Sequence, residues 1–286
     1  MGSFAVCSPD SFDELLKCLR AATPKSKILA GGTDLVIQIR EKKYSPDVVI
    51  DLSRLGELKF IKEEASKIRI GSLTNFTTIA ESPVIKKYAL CLAQAAAGVG
   101  SVQIRNSGTI GGNVANASPA ADSIPALVAL GAEILIAGPE GSRAEKIEDF
   151  LLGVEKTTLK PDEVITEIAI PRLQGNYRSA FCKLGRRKAL AIARINLAVV
   201  VRFNDGGDIL EEMRIGLGAV GSTAFRPLDA EKKLTGRKLD AQLLDEMALE
   251  LSRVVEEKIA GRASMPYKKE AIKGLVYEAG EMLKRK

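Results

Sequence analysis

Residues 28–35, ILAGGTDL, and residues 98–134, GVGSVQIRNSGTIGGNVANASPAADSIPALVALGAEI, decide how this chain is read. In the first, residues 27–30 predict a short strand that runs into Gly31, Gly32 and Thr33 and then into an apolar helical stretch, 35–39. A glycine pair at a strand's end carries no Cβ, so a ligand can come close to the backbone. The helix start beyond it offers unpaired N–H groups and a positive dipole end. That arrangement holds a phosphate without a charged side chain, although one such pair taken alone reads first as a tight strand-to-helix turn. In the second stretch Thr109, Ile110, Gly111, Gly112 and Asn113 set hydroxyl and amide side chains around another glycine pair, with Asn116, Ser118 and Asp122 close behind. Such a loop presents N–H groups and side-chain donors to a pyrophosphate, and Asp122 suits a sugar hydroxyl. Its simpler reading is an Asn- and Gly-rich Ω-type loop. Two glycine-pair loops, each beside a helix start, favour a dinucleotide-sized anion over what either loop suggests alone.

Outward from these loops the pattern alternates. Ser11 or Asp10 caps a helix with apolar positions Phe12, Leu15, Leu16 and Leu19, and residues 48–52 form a second strand, giving a βαβ-like unit. Residues 58–62 and 67–71 predict a hairpin, 74–98 helical segments, and 132–137 and 163–170 further strands. Beyond Pro171 the character changes: strands at 198–203 and 209–217 flank a glycine-containing turn, and helices at 241–259 and 266–284 follow. A domain boundary is expected near 171–176. Gly216, Gly218 and Gly221 also match the spacing GxGxxG, but Pro227 follows within six residues, which leaves no room for the helix that a dinucleotide fingerprint must open.

The 286 residues are 46% hydrophobic and 27% charged, long enough for two domains, and contain no histidine. That absence excludes Ser-His-Asp triads, Cys-His dyads, HExxH zinc sites and a histidine proton switch. No catalytic residue and no metal ligand set is expected. Cys7, Cys18, Cys91 and Cys182 are too scattered for an iron–sulfur pattern and are expected as free thiols. Without a visible signal or an apolar span, a cytoplasmic location and no membrane insertion are expected. Lys and Arg number 19 against 21 Asp and Glu over residues 1–171, and 23 against 15 over residues 172–286, so the basic half is the second. Its basic residues are interleaved with acids and lack a recognition motif, which favours solvated faces or a protein interface over nucleic acid.

Four ordered motifs, ILAGGTDL, VGSVQIRNSGTIGGNVANASPAADSIPALVALGAEI, EVITEIAIP and KLGRRKALAIA, together resemble the FAD-binding medium subunit of the molybdenum hydroxylases, the family of xanthine dehydrogenase and carbon monoxide dehydrogenase. The resemblance implies an α+β fold. It consists of a two-subdomain FAD-binding domain of the vanillyl-alcohol-oxidase type at 1–173 (subdomains 1–53 and 54–173) and a C-terminal α/β domain at 174–286. It places Ile28, Leu29, Ala30, Gly31, Gly32, Thr33, Asp34 and Leu35 at the first FAD loop, and Thr109, Ile110, Gly111, Gly112 and Asn113 at the second. Gly100 in the middle motif, Asn116 and Asp122, the apolar Ile165 and the basic Lys183 complete the cofactor contacts it implies. Val99 stands where some relatives carry an aromatic residue, which leaves Tyr177 as a candidate flavin partner by position, and no inserted cysteine loop for a 4Fe-4S cluster is present.

The implied function is electron exit. A molybdenum-pterin large subunit oxidises substrate, the 2Fe-2S clusters of a small subunit relay electrons, and FAD passes them to NAD or another acceptor in a dimer of heterotrimers. Arg186, Arg187 and Lys188 would then stabilise anionic reduced flavin, or form a solvated basic turn. A stand-alone flavin-dependent oxidoreductase and a flavin-free scaffold subunit are the alternatives. The first lacks an acid–base constellation, and the intact glycine loops count against the second. The substrate of the whole complex never meets this chain and is not written in it.

Overall fold

The computed structural model describes residues 4–187 and 190–284. The chain starts with β1 (Ala5–Cys7) and α1 (Phe12–Arg20). Ser11 caps α1 by accepting the Glu14 N–H at 3.3 Å, while the Glu14 carboxylate accepts the Asp10 N–H at 2.9 Å, so two otherwise unpaired donors are satisfied reciprocally. Leu15 and Leu19 are fully buried beneath. Then come β2 (Lys27–Leu29), α2 (Leu35–Arg40) and β3 (Val48–Asp51), with β3 lying parallel between β1 and β2.

The second sheet is antiparallel. It opens with β4 (Ile61–Glu63) and β5 (Lys67–Gly71), then leaves through six short helices: α3 (Phe76–Glu81), α4 (Pro83–Tyr88), α5 (Leu90–Ala97), α6 (Val102–Ser107), α7 (Ile110–Asn116) and α8 (Ser123–Leu130). It returns as β6 (Glu133–Gly138) and β7 (Gly141–Lys146). After the turn α9 (Ile147–Phe150) and the small pair β8 (Leu151–Gly153) and β9 (Lys156–Thr157), it closes with β10 (Val164–Pro171) between β5 and β6. As the central strand, β10 is apolar along almost its whole length. Its one buried acid, Glu167, accepts the Arg69 guanidinium from β5 at 2.8 and 3.0 Å.

The third sheet, β11 (Tyr177–Gly185), β12 (Ala193–Phe203) and β13 (Leu210–Gly218), is antiparallel and is followed by α10 (Leu228–Leu234), α11 (Ala241–Lys258) and α12 (Met265–Lys284). Strand alternation divides β12 between two cores. Ile195, Leu197, Val199 and Val201 join α11 and α12, whereas Ala198 and Val200 join the core of the second sheet. Between these cores lies α8, buried on every side. The decoy glycines are explained there: a Cβ on Gly216 would overlap the Pro125 carbonyl, and one on Gly218 would overlap the Asn196 side chain. No helix follows Gly221 before Leu228, in line with the sequence argument against a dinucleotide fingerprint.

The thiol expectation needs correction. Cys7 and Cys18 form a disulfide with their Cα atoms 6.6 Å apart, because α1 folds back over β1 and brings position 18 onto position 7. Cys91 and Cys182 are free, and burial pushes both thiols up to about 12. Strands β1, β7 and β11 were not legible in the periodicity; β7, GSRAEK, is polar along its whole length. Among the described residues no helix is long and apolar enough to cross a membrane. A covalent link across so short a loop constrains the unfolded chain by about 2–3 kcal/mol. Cys18→Ser should therefore lower unfolding stability by that amount in non-reducing buffer, and the difference should vanish when dithiothreitol is added to both proteins.

Candidate functional site

A cleft of about 390 Å³ is lined by both the first and the second sheet's loops. One wall is the β2–α2 connection, the opposite wall is α7, and Val164 and Ile165 at the start of β10 lie along it. The two glycine loops, 80 residues apart in sequence, thus face one space. Of the residues singled out in the sequence, Ile28, Ala30, Gly31, Gly32, Thr33, Asp34, Leu35, Thr109, Gly111, Gly112, Asn113, Asn116 and Ile165 line it.

The loops do different work. In the first, the backbone N–H groups of Gly31, Gly32, Thr33 and Asp34 find no acceptor among the described residues, so they remain for a ligand. Asp34 stands at the start of α2 without capping it. In the second, the donors are already spent. Ile110 N–H donates to Thr74 O at 3.0 Å, Gly111 N–H to Ser72 O at 2.9 Å, Asn113 N–H to Thr109 O at 3.0 Å and Gly112 N–H to Thr109 Oγ1 at 3.1 Å. What α7 offers is a wall without side-chain bulk, plus two amides. Asn113 Oδ1 accepts from Ser123 Oγ at 2.6 Å, which aims the side chain and leaves its NH₂ to donate.

Within each pair the glycines also differ. A Cβ on Gly31 would overlap the Ser107 carbonyl, and one on Gly111 would lie 2.5 Å from Ser72 Cβ. These two let chain segments touch. Gly32 has φ +71°, the left-handed region, and Gly112 has only Thr109 Oγ1 at 2.9 Å and Ala30 Cβ at 3.8 Å near its missing Cβ. Gly112 is therefore the position where a side chain would grow into the cleft.

Several lining residues carried no sequence signal. The Ser72 hydroxyl is buried beside the cleft with no hydrogen-bond partner, an orphan group that a ligand's polar atom would satisfy. Its position after β5 was the available clue. Tyr44 lines the cleft under the Lys27 ammonium, 4.4 Å from its ring centre. At the far end the Arg143 guanidinium, bonded at 2.9 and 2.8 Å, holds the Glu163 carboxyl below its ordinary 4.5, helped by the Lys160 N–H.

Other expected residues fall elsewhere. Leu29 and Ile110 belong to the framework. Gly100, at φ +43°, forms the turn into α6. Asp122 and Lys183 pair with each other at 2.5 Å; Lys183 Nζ also donates to Gly98 O at 3.0 Å, beside the cleft-lining Val99, and Asn196 Nδ2 donates to Asp122 Oδ1 at 3.3 Å. Burial outweighs the ammonium here and pushes the Asp122 carboxyl up. Tyr177 does not line the cleft: its hydroxyl donates to Glu212 at 2.6 Å from β11, so position near the boundary was misleading. Arg186 and Arg187 lie outside the cleft lining, Arg187 donating to Leu190 O at 3.1 Å, and Lys188 falls outside the described residues.

A Cβ-free wall, an orphan hydroxyl and a row of unpaired N–H groups fit a phosphate-bearing dinucleotide. The comparisons agree. Residues 2–173 match the FAD binding domain in molybdopterin dehydrogenase, and residues 179–283 match the CO dehydrogenase flavoprotein C-terminal domain. The chain is 37% identical to the nicotinate dehydrogenase FAD-subunit of Eubacterium barkeri, over 96% of this chain and 94% of that one. It is 32% identical to the glyceraldehyde dehydrogenase medium chain of Sulfolobus acidocaldarius, over 96% of each. The carbon monoxide dehydrogenase structure from Hydrogenophaga pseudoflava superposes with a TM-score of 0.90 at 30% identity, covering 99% of this chain and 97% of that one.

Two outcomes test the division of labour. Gly111→Ala should cost about 3 kcal/mol or more, because it drives a methyl into Ser72, and should lower the melting temperature. Gly112→Leu should lower the melting temperature of flavin-free protein less than Gly111→Ala does, since its Cβ displaces only the Thr109 hydroxyl, while abolishing flavin retention. For Glu163 the sign is fixed by its depressed value: the stability it lends is complete above pH 4.5 and is lost as pH falls through the folded value. Acid unfolding of Glu163→Gln should accordingly show a shallower pH dependence below 4.5 than the parent.

Proposed function

This chain belongs to the FAD-binding medium subunits of the molybdenum hydroxylases, oxidoreductase subunits that carry FAD, and from that premise we propose that it is the electron-exit module of such a complex. In this reading it takes electrons from the 2Fe-2S clusters of a small subunit, themselves supplied by a molybdenum-pterin large subunit, and delivers them to NAD or another acceptor. FAD supplies the exchange between single-electron and paired-electron transfer. The chain's own residues bind and orient it.

The observation that carries the proposal is the cleft, where four free N–H groups face a wall opened by Gly112. The N–H groups of residues 31–34 would hold the pyrophosphate, as a preorganised concavity of donors holds any phosphate. The Asn113 and Asn116 amides and the Ser72 hydroxyl would satisfy polar atoms along the cofactor. Val99, Ile104 and Ile165 give an apolar stretch for a ring, with the Asp122–Lys183 pair behind it. We divide the chain accordingly, with FAD held by residues 1–173 and covered from behind by 174–286.

Exposed apolar side chains suit an assembly with sister subunits, and we propose a dimer of heterotrimers. Leu152 and Val154 on the β8–β9 hairpin are 63% and 54% exposed, and Ile192 is 79% exposed. Cytoplasmic placement is part of the same proposal. In that compartment Cys7 and Cys18 would be held reduced, so the bond between them would form only under oxidising conditions.

The test is direct. Purified with its two sister subunits, the chain should give a flavin absorbance spectrum and release FAD on denaturation, in amounts stoichiometric with this subunit. A fully assembled complex without flavin would refute the proposal.

A further inference from the structure

The turn at residues 219–223, AVGST, takes no part in the cleft. Ala219 sits at φ +60°, a left-handed conformation that is uncommon for a residue with a Cβ and that gathers at functional positions. Its N–H donates to Pro119 O at 2.8 Å, and its carbonyl accepts the Lys268 ammonium from α12. Lys258, at the end of α11, runs along the turn. Its Cε is 3.5 Å from where a Gly221 Cβ would lie, and its ammonium is 4.6 Å from the centre of the Phe225 ring. Arg194 on β12 and Arg262 after α11 add like charge to the field at Lys268, whose pKa is lowered first by burial and then by these two guanidiniums.

None of these four cations pairs with a carboxylate among the described residues. The N–H groups of Gly221, Ser222 and Thr223 likewise have no acceptor there. Like charges drawn together without a counter-charge repel unless an anion offsets them. Burial and both guanidiniums push the Lys268 ammonium's pKa down, a push that a bound anion reverses. Backbone donors, two hydroxyls and the Lys258 and Lys268 ammoniums at one turn match what phosphate oxygens accept.

The location narrows the ligand. Ala219 is tied to Pro119, and the segment from Asn116 to Asp122 runs from the cleft wall to the Asp122–Lys183 pair, so a single chain segment separates this turn from the cleft. We infer that the turn at 219–223, contacted by Lys258 and Lys268, is a phosphate site that receives the pyrophosphate of a dinucleotide electron acceptor. The ligand class rests on the reading that this chain hands electrons onward; the phosphate site itself does not.

Inorganic pyrophosphate is the first probe, titrated calorimetrically into the assembled complex. Saturable binding is expected. Arg194→Gln and Arg262→Gln, both at exposed positions, should each weaken it about tenfold, as loss of a charge-assisted contact does, and Lys268→Met should do the same. In the flavin-stripped Gly112→Leu complex, adding Arg194→Gln should still weaken pyrophosphate binding about tenfold, which separates failure here from failure of the FAD assignment. Absent binding, or binding indifferent to all three cation substitutions, would overturn the site. NADH and ADP-ribose should then displace pyrophosphate; if neither does, the dinucleotide assignment is wrong.

Discussion

Gly31 meets the backbone of Ser107 and Gly108 so closely that no side chain fits between them. This is chain against chain, the loop after β2 pressed onto the end of α6, and it sets the distance between the first and second sheets' loops. Because the contact is made by atoms that any substitution would displace, the width of the cleft is fixed by covalent geometry more than by adjustable side-chain packing. Gly111 repeats the device against Ser72 at the end of β5. The remaining glycine of each pair is thereby freed for other uses, a left-handed turn at Gly32 and an empty wall at Gly112. A GG doublet here is two separate requirements that happen to be adjacent.

Much of this was legible. The βαβ start, the cap at Ser11, the strand 163–170 and the last two helices follow from periodicity and capping chemistry, signals that are local. Each glycine loop carries its own short-range signature, and the fold brings the two to one cleft. What escaped was non-local. That Gly111 and Asn113 spend their N–H groups on Ser72 and Thr109 depends on where β5 ends, which no spacing within the TIGGN stretch encodes. Cys7 and Cys18 looked like scattered thiols until the return of α1 over β1 joined them. Tyr177 is a candidate flavin partner only by its nearness to the domain boundary in sequence, whereas β11 places it outside the cleft lining with its hydroxyl on Glu212.

The missing histidine has a physical counterpart in the cleft. In the cleft wall Glu163 is held ionised by Arg143, and away from the cleft both free cysteines are kept as thiols by burial. A chain of this kind contributes shape and electrostatics while a bound group contributes reactivity. In the basic second half Lys233, Arg237, Lys269 and Lys273 are paired with glutamates, whereas Arg194, Lys258, Arg262 and Lys268, like Arg178, Arg186 and Lys238, pair with no carboxylate among the described residues.

Asp122 lies in the stretch that holds the second glycine loop, yet its two partners, Lys183 and Asn196, come from the third sheet. A carboxyl only 6% exposed depends on side chains more than 60 residues downstream for its neutralisation. Cutting the chain after Leu173 would strand that group in an apolar setting and bare the face of α8 that β12 and β13 cover. Although two separate family descriptions tile the sequence, the halves are therefore poor candidates for shuffling. A chimera that borrows one half from a relative must bring the partners of Asp122 with it.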